Sequence, residues 1–196
     1  MPHKKPMPKS QQKRILMVIA PSGYRPAELY EPKNILEGYG ASVVVASKNA
    51  GVIHGMPVDE PEWQTAVADV SLGDVSVSDY DAVLFIGGAG VREIWNDRQY
   101  TSLARAAADA GILIGAICIA PMILANANLL SGKKSTIHGS EASTFISKGP
   151  NYVDSDVVRS GNIITAAGPH AASDFAEAVA EAIGLAKSLK TDRDAS

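Results

Sequence analysis

The sequence predicts a doubly wound α/β fold, with a mostly parallel sheet and helices on both faces, in a single domain over residues 13–187. Three observations predict it. Short continuous apolar runs recur at 14–20, 42–46, 82–86 and 112–117, the mark of strands covered on both faces. Segments of helical spacing closed by glycine alternate with them. The most chemically suggestive residues fall just after these runs, at the carboxyl ends of strands, where open α/β sheets form their sites.

Taken in order, Arg14–Ala20 is the first strand, ended by Pro21-Ser22-Gly23. Residues 26–38 carry Leu29, Ile35 and Leu36 at helical spacing before Gly38 and Gly40. Pro32 lies inside this stretch, so the helix is expected to start or kink there. Ser42–Ala46 is a second buried strand, and the β-α-β opening implies a right-handed parallel crossover. Residues 47–79 are broken by Gly51, Gly55, Pro57, Pro61 and Gly73, with Thr65–Ala68 expected as a hairpin or edge strand. The alternation resumes with Ala82–Ile86, a helix over 98–110, and Ile112–Ile117. A helix over about 120–130 tolerates Pro121 in its first turn. Strands are expected over 134–137 and 162–166, then a closing amphipathic helix over 170–187, capped by Ser173 if it begins late. Residues 1–12 read as a solvated basic tail and 188–196 as a polar one.

Bulk composition narrows the function. The chain has 196 residues, 46% hydrophobic and 20% charged, with a formal net charge of −3. That balance suits a globular protein and offers no basic surface for nucleic acid. No apolar run approaches the ~20 residues that span a bilayer. No secretory signal is apparent, and the lone cysteine fits a reducing, cytoplasmic location. Neither metal-ligand spacing nor a phosphate loop is present: Gly87-Gly88-Ala89-Gly90 fails the dinucleotide pattern at Glu93. No cofactor, metal, nucleic acid or membrane partner is therefore expected.

The decisive segment is Gly115-Ala116-Ile117-Cys118-Ile119-Ala120-Pro121. A nucleophile on a sharp strand-to-helix turn needs small residues two positions to either side, and Ala116 and Ala120 supply them. The following helix aims its positive dipole end at the sulfur. Cys118 is thus expected to have a pKa below the free value of ~8.5 and to be partly thiolate. The competing reading of these residues alone is a buried structural cysteine.

With Phe85-Ile86-Gly87-Gly88, and Glu28 followed four residues later by Pro32, this segment resembles the PfpI/ThiJ superfamily. That is the family of the Parkinson-disease-linked deglycase, distantly related to class I glutamine amidotransferases. The similarity runs in order from about Arg14 to Gly184. It implies a flavodoxin-like fold, a homodimer, Cys118 as nucleophile, Glu28 hydrogen-bonded to its sulfur, and an oxyanion pocket formed by the Gly88 and Ile119 N–H groups. A carboxyl beside a thiolate favours its protonated form, which suits Glu28 to acid/base work. Protease-like members carry His directly after the cysteine. Ile119 stands there instead and weakens a Cys-His mechanism. The deglycase branch has a His twenty residues after the cysteine, matched here by His138, a candidate proton shuttle; a loop His bound to backbone is the alternative. His170 reads as a helix-start residue and His54 as exposed. Tyr24, Tyr30, Trp63 and Trp95 read as packing residues.

The resemblance implies a cofactor-free enzyme acting on small reactive carbonyls, of the glutathione-independent glyoxalase or deglycase type. Two alternatives remain open at this stage: a redox-sensing stress protein or chaperone working through Cys118 oxidation, and a hydrolase (peptidase or hydratase) of the same superfamily.

Overall fold

A computed structural model of the chain describes residues 12–185. The two expected tails lie outside the described residues, apart from Gln12. The apolar runs form the central strands as expected: β1 (Arg14–Val18), β2 (Ser42–Ser47), and, further on, β6 (Ala82–Phe85) and β7 (Leu113–Ile117). Between β2 and β6 lie β3 (Gly51–His54), β4 (Thr65–Ala68) and β5 (Val70–Ser71). After β7 come β8 (Lys134–Ser135), β9 (Asn151–Tyr152), β10 (Val157–Ser160) and β11 (Ile163–Ala166). The helices are α1 (Pro26–Gly38), α2 (Val91–Ile94), α3 (Arg98–Asp109), α4 (Pro121–Asn126), α5 (Ala142–Ser147) and α6 (Ala172–Ala182).

Seven strands form the main sheet in the order β10-β11-β7-β6-β1-β2-β5. Every pairing is parallel except β10 with β11 at one edge. Helix α1 packs on α6 on one face, and α3 packs on α4 on the other. Ile15 to Ala20 are all buried, as two covered faces require. From β1 the chain steps outward to β2 on one side, and later to β6, β7 and β11 on the other. The reversal leaves a crevice at the carboxyl ends of β1 and β6.

Several expectations are corrected. Helix α1 neither starts nor breaks at Pro32: it begins at Pro26 and runs on with Pro32 buried inside it. Pro26 occupies the first turn, where a missing N–H costs nothing. Pro32 removes the donor that would meet the Glu28 carbonyl. Helix α4 ends at Asn126 rather than near 130, where Asn128 turns to φ 61°. The strand expected over 134–137 is only two residues, and it pairs with β9 outside the main sheet. Ser173 is not a cap: α6 begins at Ala172, after a 3₁₀ turn over Pro169–Ala171, and has no side-chain cap. It ends at Ala182, before Gly184 at φ 83°. The difficult stretch 47–79 resolves both ways. β4 pairs with β3 as an antiparallel ribbon, while β5 extends the edge of the main sheet beside β2.

Candidate active site

Three chain connections meet in the crevice: the turn after β7, the turn after β6 and the first turn of α1. Cys118 sits directly after β7 with φ 64°, a left-handed conformation that non-glycine residues rarely adopt. Its N–H donates to the Ala166 carbonyl at 2.9 Å, and its carbonyl accepts the His138 N–H at 2.8 Å. The elbow is therefore clamped on both sides by neighbouring chain, which holds the strained backbone in place. Cys118 is buried, with 5% of its residue surface exposed.

The turn after β6 is built around close approach. A Cβ on Gly87 would run into Glu28 Oε2 and Cys118 Cβ, so only glycine leaves room for the carboxyl and the thiol to face each other. Gly88 adopts φ 119°, and a Cβ there would overlap the backbone of Gly23, Tyr24 and Arg25. The Arg25 N–H donates to the Gly87 carbonyl at 2.9 Å, which locks the turn to the start of α1. The Ala89 N–H meets the Met56 sulfur at 3.3 Å. Among the described residues, neither the Gly88 nor the Ile119 amide is consumed by the backbone hydrogen bonds of these turns. The Ile119 N–H lies close enough to the Cys118 sulfur to favour its thiolate.

Glu28 projects from the first turn of α1 and is fully buried. Neither carboxyl oxygen has a hydrogen-bond partner of good geometry. The Cys118 thiol, the Arg25 guanidinium and the Gly87 N–H each favour the charged carboxylate, but burial outweighs them. It pushes the pKa from the usual 4.5 up to about 7. The Cys118 thiol and the Glu28 carboxyl are in contact, and each shifts the other's ionisation. Arg25 Nε stands 3.5 Å from Glu28 Oε1.

The expected low thiol pKa is corrected. Burial first, then the Glu28 charge and its contact, push Cys118 from 9.0 up to about 12, against weaker opposing effects of Arg25 and the Ile119 N–H. Any pull of the six-residue α4 on the sulfur is outweighed by burial and by Glu28. Cys118 and Glu28 titrate as a pair, so one proton is shared between them above neutrality.

Of the sequence-derived candidates, Cys118, Glu28, Gly88 and Ile119 come together. His138 is tied to Cys118 through its backbone, and its ring is held on the Nδ1 side by Ser140. Nδ1 lies 2.9 Å from Ser140 Oγ, and Cδ2 borders Gly168. Glu141, three residues on, is gripped by Arg92, with Nη2 at 2.6 Å. His170 pairs with Asp156 at 3.0 Å, and His54 is exposed. Tyr24 is buried, while Tyr30 and Trp63 stack at 5.5 Å; these are packing contacts. Arg25 was missed by sequence reasoning. The signal available was a cation three residues before the candidate acid, the spacing of one helical turn.

The sequence profile of the DJ-1/PfpI family matches residues 13–182. The chain belongs to the DJ-1/PfpI family. An uncharacterized protein of Methanocaldococcus jannaschii is 36% identical over 173 residues, covering 87% of this chain and 82% of that one. The dj-1beta protein of Drosophila melanogaster is 32% identical, with 86% and 88% covered. A ThiJ/PfpI domain protein from Brachyspira murdochii superposes with a TM-score of 0.82 at 30% identity, covering 90% of this chain and 98% of that one. At lower identity, DJ-1/PfpI relatives carry reaction names: a glutathione-independent glyoxalase of Caenorhabditis elegans at 28%, covering 88% and 89%, and a deglycase of Pyrococcus abyssi at 26%, covering 79% and 90%. Among the described residues no helix is long and apolar enough to cross a membrane, and no group of three or more His, Cys, Asp or Glu is arranged to hold a metal.

Proposed function

We propose that this chain is a cysteine-dependent enzyme converting small 2-oxoaldehydes to 2-hydroxy acids without glutathione. One observation carries the reading: the Cys118 elbow faces a buried carboxyl whose pKa lies near 7, with two amides available beside it. An acid/base poised at neutrality suits repeated proton movement.

The Cys118 sulfur adds to the aldehyde carbon while its shared proton rests on Glu28, giving a hemithioacetal. The Gly88 and Ile119 N–H groups stabilise the developing oxyanion without a metal. Glu28 gives its proton to that oxyanion, which completes the hemithioacetal and leaves a carboxylate; the carboxylate then takes the proton from the former aldehyde carbon and returns it to the adjacent carbon through an enediol. This step oxidises the first carbon to a thioester as it reduces the second to a hydroxyl. Water cleaves the thioester and regenerates the thiol, so methylglyoxal and water give lactate. No external oxidant or cofactor enters. His138, one backbone hydrogen bond from Cys118, is the reserve proton carrier on this reading, with Ser140 on its Nδ1.

The test is lactate formation from methylglyoxal in the absence of glutathione. The wild type is expected to turn over, and Cys118→Ala to fall to background; equal rates for both would remove the mechanism. A second reading, oxidation sensing, draws on the same carboxyl: protonated Glu28 would donate to a sulfinate on Cys118. Stoichiometric gain of two oxygens under mild peroxide, with no aldehyde consumption, would favour it. The homodimer implied by the family resemblance is tested by light scattering in solution.

A further inference from the structure

The chemistry proposed above uses a thiol, a carboxyl and two amides, and leaves one charged group beside them without a task. Arg25 precedes Pro26 on the connection into α1, three residues before Glu28. Its Nε is buried and has no hydrogen-bond acceptor, since Glu28 Oε1 lies 3.5 Å away. Yet the side chain as a whole is 39% exposed, so the surface it offers to solvent lies on atoms other than the buried Nε beside Glu28. Its charge acts on both Cys118 and Glu28. The backbone beneath it is fixed by the 2.9 Å bond to Gly87 and by the close packing of Gly88.

A structural ion pair would satisfy these donors with carboxylate oxygens. This one leaves a buried N–H and two buried oxygens unpaired, as an open half-site does. A planar guanidinium edge matches a planar carboxylate in a two-point contact. With Glu28 protonated, the single Arg25 guanidinium balances one incoming negative charge, not the two of a phosphate.

We propose that Arg25 is a specificity-determining residue that receives a substrate carboxylate, so that the site prefers 2-oxoaldehydes bearing a carboxylate further along the carbon chain. The inference rests on the glyoxalase-type reading for its reaction. The chemistry balances as before: 4,5-dioxopentanoate and water give 2-hydroxyglutarate, with the aldehyde carbon oxidised and its neighbour reduced.

The test has two arms. The first needs no turnover. Cys118 is alkylated with anionic iodoacetate and with neutral iodoacetamide, and the rate ratio is divided by the same ratio for free cysteine. A properly placed guanidinium should raise this normalised ratio about tenfold in the wild type, with added salt lowering it. Arg25→Gln should bring it to about one, and Arg25→Lys should fall between, since charge survives but the fork does not. A wild-type ratio near one, or a salt-insensitive ratio, overturns the proposal whether or not the variants fold. So does a ratio unchanged in an Arg25→Gln protein that melts like the wild type. The second arm compares kcat/KM for 4,5-dioxopentanoate and methylglyoxal. A preference for the former that collapses in Arg25→Gln supports the proposal. Turnover of both without preference overturns it and leaves the glyoxalase reading standing. Anion-selective alkylation with no consumption of either aldehyde supports Arg25 as the carboxylate receptor and removes the glyoxalase reading.

Discussion

At the scale of single residues, the site depends on what Glu28 does to Cys118. With the carboxyl charged, the thiol is held far above neutrality; with a proton shared, a thiolate beside a neutral acid becomes accessible once the pair loses its first proton near 7. The rate of Cys118 alkylation by iodoacetamide is therefore expected to rise through an inflection near pH 7. In Glu28→Gln the amide cannot accept the proton, and the burial penalty on the thiolate remains. The inflection should then move above the ordinary thiol value of about 8.5, which a pH series of alkylation rates followed by mass spectrometry would measure. Cys118 and its turn were legible in the sequence because nucleophile elbows impose local rules on small neighbours. Its ionisation was not, because that depends on Glu28, ninety residues away in the chain and in contact only after folding. Arg25 had a spacing signal, three residues before Glu28, but its unpaired Nε exists only in the folded chain.

At the scale of elements, strands covered on both faces leave little latitude where helices press closely. Gly115 in β7 is such a place. A Cβ there would lie 2.6 Å from Leu84 Cδ2 and 2.7 Å from Phe175 Cζ. Gly115→Ala is expected to cost about 1–3 kcal/mol through overpacking between the sheet and α6, measured by denaturant unfolding. Helix α3 offers a milder test. Asp97 caps it, accepting the Gln99 N–H at 2.9 Å, and also pairs with Lys48 at 2.9 Å. Asp97→Ala should destabilise by about 1 kcal/mol, with nearly all of the loss from the cap, because the Lys48 pair is solvent-screened. The long apolar strands and α3 were legible because their periodicity is local. The short elements β8, β9 and β10 were misjudged or missed because two- to four-residue strands are defined by their partners.

At the scale of the whole molecule, a buried acid makes stability depend on pH. Glu28 has its folded pKa raised from 4.5 to about 7. Between those values the unfolded chain releases the proton and the folded one keeps it. The contribution is therefore fully present below about 4.5 and lost as pH rises through about 7. The shift corresponds to roughly 3 kcal/mol, and Glu28→Gln should flatten the unfolding free energy over this window in denaturant melts at graded pH. The parallel sheet order was predictable in kind, since alternating strands and helices admit few topologies. The antiparallel edge formed by β10 and β11 was not, because nothing in 157–166 signals direction.

The bond from the Arg25 N–H to the Gly87 carbonyl has one more consequence. It fastens position 25 by its main chain alone, and any residue other than proline can supply that amide. The side chain beside Glu28 is thus an exchangeable fitting on a fixed bracket. Exchanging this one residue is therefore expected to change which molecules the site admits, while elbow, acid and amide donors stay where they are.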